Sequence, residues 1–196
     1  MFHLRNGNAI ILASESARRV DLLRTLGIPF SIVPPSIKEE KRKGETPRDY
    51  VLRVSLEKAK TIGQYFPEKW VIGADTVVVF KNRIIGKPES EEDAFRTLKM
   101  LKGKWHKVIT GFSIVNVQRN VYYTNAVETK VFIKELTDEE ILRYIKTSEP
   151  FGKAGSYAIQ GRGGYMVKEI KGSHTNVVGL PVCELAEALQ TLGILS

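Results

Sequence analysis

The chain has 196 residues, with 30 Lys and Arg against 22 Asp and Glu and a formal charge of +8. At 42% hydrophobic and 27% charged residues it has the make-up of an ordinary folded domain, which excludes a disordered, collagen-like or low-complexity chain. No apolar run reaches the roughly 18 to 20 residues that a membrane-spanning helix needs, and the start up to Asn8 lacks the basic-then-apolar layout of a signal peptide, so a soluble, cytoplasmic protein with no membrane partner is expected.

In chain order, Ile10 to Ala13 is a short apolar run followed by Ser14-Glu15-Ser16, after which Val20, Leu22, Leu23 and Leu26 recur at helical spacing up to Gly27. That predicts strand, polar turn, helix. Pro29 to Val33 predicts a second short strand. Thr46-Pro47 supplies a capping hydroxyl and a proline at the first helical position, ahead of Val51, Val54, Ala59 and Ile62 on one stripe. Trp70 to Phe80 is almost continuously apolar and β-branched, the pattern of a strand covered on both faces, yet Asp75 lies within it. A turn at Lys81-Asn82, a short strand at Ile84-Ile85 and a helix from Ser90 to about Leu101 follow. Lys107 to Val117 and Val121 to Ile133, separated by Gln118-Arg119-Asn120, predict a hairpin. Thr137-Asp138-Glu139-Glu140 is a capping box. The glycine-rich stretch from Phe151 to Gly164 predicts a long loop, Gly164 to Ile170 a strand and Leu180 to Leu192 a last helix. Strands and helices alternate without repeat or linker, the signature of an α/β or mixed-sheet fold without separable domains.

Three positions carry chemical promise. At the end of the first strand, Ser14, Arg18 and Arg19 add hydroxyl and guanidinium donors to a helix start, a corner that attracts phosphate; a capped helix with two solvated arginines is the alternative. Asp75 loses hydration in an apolar strand unless a cation, a metal or hydrogen bonds replace it, and Lys58 and Lys87 lie in segments that can converge on it. Lys87 is bracketed by Gly86 and Pro88 at a strand end, where ligands of open sheets bind. In the glycine-rich loop, Gln160 can read a base edge or bridge backbone; neither a Walker A nor a dinucleotide spacing is met. His3 at the terminus, His106 at a strand start and His174 in a polar turn read as structural or exposed. The single cysteine, Cys183, excludes an internal disulfide and, in an apolar stretch, is expected to be buried and inert. The densest basic cluster, Lys38 to Lys43, contains Glu39 and Glu40, so nucleic acid is not the expected partner.

Taken together, Ser14-x-Ser16-x-Arg18-Arg19, Arg53 with Glu57-Lys58-Ala59, Gly73-Ala74-Asp75-Thr76, Gly86-Lys87-Pro88, Thr110-Gly111, Lys153-Ala154-Gly155 with Ile159-Gln160-Gly161, and Asn176 to Pro181 resemble, in order from about residue 9 to 192, the Maf family of nucleoside triphosphate pyrophosphatases. One departure is Ala17, where the family usually has proline. The resemblance implies a single domain over residues 1–196 with an inosine triphosphate pyrophosphatase-like α/β fold: an elongated mixed sheet flanked by helices, with two lobes around a central nucleotide cleft. It implies a divalent cation, magnesium or manganese, and the products nucleoside monophosphate and pyrophosphate. By the same resemblance the proton acceptor falls on Asp75, the basic catalytic positions on Lys58 and Lys87, phosphate binding on Arg19 with Ser14 or Ser16, and an acidic metal ligand on Glu39 beside Asp75. Arg18, Thr76 and Gln160 match the branch acting on dTTP and UTP rather than the branch acting on 7-methyl-GTP, which usually has Trp, Gln and Glu there. A septum-formation regulator acting by binding is a rival reading that the resemblance also carries, and a homodimer is a further implied partner that no pattern in the residues demonstrates.

Overall fold

The structure, a computed structural model, describes residues 2–5 and 7–196. It is a mixed α/β fold with one seven-stranded sheet, in which β2 (Ser31–Ile32), β1 (Ile10–Ala13), β3 (Trp70–Phe80), β5 (Trp105–Asn116), β6 (Val121–Ile133) and β7 (Val167–Lys171) lie side by side in that order and β4 (Arg83–Ile85) pairs with β3. The chain divides into two compact units, one made of the chain up to Asp75, Thr110–Val127 and Gly179–Ser196, the other of Thr76–Ile109 and Glu128–Val178.

In the first unit, β1 (Ile10–Ala13) is wholly buried and runs parallel to both β2 (Ser31–Ile32) and β3 (Trp70–Phe80), with Ile10 to Ala13 facing Trp70 to Gly73 in register. Parallel neighbours need crossover connections, and the helices α1 (Ala17–Arg24) and α2 (Pro47–Gly63) supply them. The Thr46 hydroxyl accepts the Asp49 amide at 3.1 Å and Pro47 opens the helix, so the start of α2 is fixed locally. Its apolar stripe closes over the strands in a cluster of Ile11, Ala13, Ala59, Ile62, Val71 and Val115. The closing helix α6 (Val182–Thr191) buries Leu185, Ala186, Ala188 and Leu189.

In the second unit, Lys81 and Asn82 adopt positive φ of 49° and 61° and reverse β3 into the antiparallel β4 (Arg83–Ile85), the left-handed pair that a two-residue hairpin demands. Helix α3 (Glu91–Leu101) starts on the Ser90 hydroxyl and α4 (Asp138–Ile145) on a complete capping box between Thr137 and Glu140. Both pack into a core with Val78, Val108, Val131, Ile133 and Met166. Strands β5 (Trp105–Asn116) and β6 (Val121–Ile133) are neighbours in the sheet and contribute to both units.

Four expectations need correction. The strand expected over Gly164 to Ile170 begins only at Val167, as β7 (Val167–Lys171). The Glu149 carboxylate accepts the Arg162 and Gly163 amides at 2.9 and 2.8 Å and coils Arg162–Met166 into a 3-10 turn. The preceding loop holds a second such turn at Ala154–Ser156. His174, expected in a polar turn, opens the short helix α5 (His174–Val178). Cys183 is exposed rather than buried, because α6 turns Leu185, Ala188 and Leu189 inward and leaves Cys183 on the side of Glu187, whose carboxylate is 4.0 Å from its Sγ.

Candidate active site

Helix α2 lies unusually close to the sheet, and two glycines are the cause. A side chain on Gly73 would overlap the Ser55 carbonyl oxygen and stand 2.8 Å from the Ala59 amide; one on Gly111 would overlap the Val51 carbonyl. With both absent, the helix settles onto the strands and the Ser55 and Ser113 hydroxyls meet at 2.8 Å, fully buried. The same approach delivers Lys58, one residue before Ala59, to Asp75, two residues after Gly73.

The Lys58 ammonium is 2.8 Å from Oδ1 of Asp75 and 2.9 Å from Oε1 of Glu39. Lys58 and Asp75 are each 6% exposed, while the Glu39 side chain, at 45%, reaches in from the loop between β2 and α2. Two carboxylates therefore share one ammonium, which satisfies the hydration that Asp75 gives up in its strand. Arg19 lies in the same field. Burial pushes its guanidinium below the usual range, against the opposing charges of Asp75 and Glu39, and its Nε donates to the Gly179 carbonyl at 2.8 Å. Tyr50 is pushed up to about 12 by burial and by the charges of Asp75 and Glu39.

The loop that carries Glu39 is pinned from α2. Arg53 donates to both oxygens of Glu45 at 2.6 and 2.8 Å, to Glu57 at 3.0 Å and to the Glu40 carbonyl at 2.9 Å. The Tyr50 hydroxyl donates to the Glu39 carbonyl at 3.1 Å. The two bonds from Arg53 hold the Glu45 carboxyl at about 2. The Arg53–Glu57 pair is legible in the sequence as an i, i+4 spacing on a helix; Tyr50 and Glu45 were missed, since their partners lie across a loop and no local pattern reports them.

Of the other expected residues, Ser14 is buried at the end of β1 and its hydroxyl accepts the Ser16 amide at 3.2 Å. Ser16 is the N-cap residue of α1 but makes no side-chain capping bond, and the first turn holds no acid, only Arg18 and Arg19, both half-buried. Positive side chains at a helix N-terminus oppose the macrodipole, an arrangement that a bound anion relieves. Thr76, Lys87 and Gln160 belong to the second unit; Thr76 is half-buried in β3, and Lys87 and Gln160 are exposed in loops. The structure thus brings together Glu39, Lys58 and Asp75, with Arg19 in their field.

Glu39 and Asp75 offer two hard oxygen donors at one point. That set fits magnesium or manganese, which take one or two carboxylates and complete their shell with phosphates and water. Among the described residues no group of three or more His, Cys, Asp and Glu converges, so a closed, all-protein metal cage has no candidate ligands there.

A family model described as Maf-like protein matches residues 9–192. A dTTP/UTP pyrophosphatase of Geotalea uraniireducens is 48% identical over 94% of this chain and 95% of its own length, and one of Citrifermentans bemidjiense is 48% identical over 96% and 97%. Among solved structures, the Staphylococcus aureus Ham1 protein covers 64% of this chain and 72% of its own, at 12% identity and a TM-score of 0.49. A family model that spans nearly the whole sequence, with relatives alike in almost half their residues over the same length, identifies the chain as a member of the Maf-like protein family.

Proposed function

We propose that this protein is a nucleoside triphosphate pyrophosphatase that hydrolyses dTTP and UTP to the nucleoside monophosphate and pyrophosphate. The observation that carries the chemistry is the Glu39–Lys58–Asp75 cluster, in which Lys58 and Asp75 are buried; the substrate class comes from the relatives named dTTP/UTP pyrophosphatase. A triphosphate brings roughly four negative charges at neutral pH, and Arg19 and Lys58 supply positive charge to meet them. Asp75 accepts a proton from water while the water oxygen bonds to the α-phosphorus. The bond from that phosphorus to the bridging oxygen breaks, and pyrophosphate leaves with the electron pair. A divalent cation held by Glu39 and Asp75 would polarise a phosphoryl oxygen and offset charge on the leaving group. Asp75 is buried in β3 and held by Lys58 at 2.8 Å, so the orientation of its carboxylate is fixed.

The parts of Ser14, Ser16, Arg18, Thr76, Lys87 and Gln160 rest on the family resemblance. The Gln160 amide can both donate to and accept from the O4 and N3–H edge that thymine and uracil share, whereas a carboxylate there would suit a cationic methylated guanine. The test is a panel of nucleoside triphosphates with magnesium, scoring pyrophosphate separately from orthophosphate. Pyrophosphate with dTMP or UMP is expected, with dTTP and UTP the best substrates. Orthophosphate release would contradict the cleavage point, and preference for 7-methyl-GTP would contradict the substrate.

A further inference from the structure

The second unit holds a cavity of about 440 Å³ that is lined by Val79, Lys81, Trp105, Lys107, Lys130 and Lys171, among others, all from that unit. It follows from strand alternation. Val78, Val108 and Val131 point into the apolar core, so the residues beside them in β3, β5 and β6 face the other way.

The charges there are unbalanced. Lys107 pairs with Glu128 at 3.0 Å and Lys171 with Glu169 at 3.5 Å, whereas Lys81 and Lys130 have no ion pair among the described residues. Lys130 and Lys171 are also direct cross-strand partners in the antiparallel β6–β7 ladder. Like charges placed opposite one another destabilise a sheet, and nothing in the core requires them here. The Lys171 ammonium lies 4.6 Å from the centre of the Trp105 ring, so an aromatic wall stands beside the cations. A second copy of the chain, itself basic at this face, would add repulsion.

We propose that this cavity is a second ligand site that takes a free nucleoside diphosphate or similar small nucleotide, with the phosphates on Lys81, Lys130 and Lys171 and the base against Trp105 and Val79. The volume falls within the range of small-molecule pockets, and it exceeds what a bare phosphate requires. An anion between Lys130 and Lys171 relieves the repulsion that the free protein carries, which makes ligand binding and sheet stability one linked quantity. The inference is independent of the proposed hydrolysis, since it uses none of the residues placed in that site.

The test is calorimetric titration of the full-length protein with ADP, without divalent cation, beside the variants Lys130→Thr and Lys171→Thr, with Trp105 emission as a second readout. The wild type is expected to bind one more ADP per chain than either variant, or to bind it about tenfold more tightly, with a change in emission. Lys130→Thr should also melt at a higher temperature than the wild type when no ligand is present, and both variants should keep wild-type dTTP turnover. Unchanged ADP binding in both variants would overturn the proposal. So would inorganic pyrophosphate binding as tightly as ADP, or a preference for a single-stranded oligonucleotide with affinity falling steeply with salt.

Discussion

Asp75 is tolerated in β3 because Lys58 meets it, and the pair is enclosed enough that either member alone would be costly. Removing one partner of a buried ion pair destabilises by about 3 to 5 kcal/mol. Lys58→Ala is therefore expected to lower the urea midpoint clearly, and a double variant with Asp75→Asn should recover part of that loss; a Lys58→Ala midpoint equal to wild type would mean the pair is solvated. Arg53 acts one step further out. It holds Glu45 and the Glu40 carbonyl, and so fixes the loop from which Glu39 reaches Lys58. Outer partners of this kind typically affect activity or metal affinity about 10- to 100-fold. Arg53→Ala should fall in that range while its combination with Glu39→Ala costs little more than Glu39→Ala alone. Rate losses that multiply would show that Arg53 acts elsewhere.

The approach of α2 to the sheet is an element-scale device that depends on two missing side chains. Gly73→Ala is expected to push α2 outward, lower the melting temperature by several degrees, and impair hydrolysis through Lys58 without touching a charged group. A variant with wild-type melting and turnover would show that the helix accommodates the methyl. A second element-scale prediction concerns β5. His106 is 2% exposed and shares a 2.7 Å hydrogen bond between Nε2 and the Tyr157 hydroxyl, while its Nδ1 has no partner. A proton added there would place a second buried N–H without an acceptor. Burial pushes His106 down to about 4, from an ordinary value near 6.5. Because the folded value is depressed, the unfolded chain takes up the proton first, so stability is full above pH 6.5 and falls as pH drops from 6.5 towards 4, by about 3 kcal/mol in all. Urea unfolding between pH 4 and 7.5 should show that slope in the wild type and lose it in His106→Gln; an equal slope in both would assign the loss to other groups.

The elements that the sequence made legible are those with local causes. Thr46-Pro47, Ser90 and the Thr137–Glu140 box each fix a helix start within four residues, and the Lys81-Asn82 turn fixes a hairpin within two. The misread region, Phe151 to Met166, is shaped instead by Glu149, whose carboxylate gathers amides 13 and 14 residues away, and periodicity cannot report such a bond. Cys183 was misjudged because an apolar neighbourhood in sequence says nothing of which side of a helix faces outward. In the site, Asp75 stood out as a charge in an apolar run and Lys58 as a cation within reach, but the sharing of Lys58 with Glu39 required a loop to fold back onto a helix.

At the scale of the whole molecule, the first unit contains the cluster proposed to do the chemistry, and the second contains the lysine-lined cavity. The surplus of eight positive charges is thus consistent with phosphorylated small molecules as partners of both units, rather than with a nucleic-acid groove. That reading predicts weak, non-saturating binding to oligonucleotides at physiological salt in filter-binding assays; tight binding with a steep salt slope would contradict it. The most direct check on the account is the turnover of Asp75→Asn, an isosteric change that leaves a hydrogen-bond acceptor but removes the proton acceptor. A folded protein is expected whose pyrophosphate release from dTTP falls by about a thousandfold or more, whereas near wild-type turnover by folded Asp75→Asn would remove Asp75 from the chemistry.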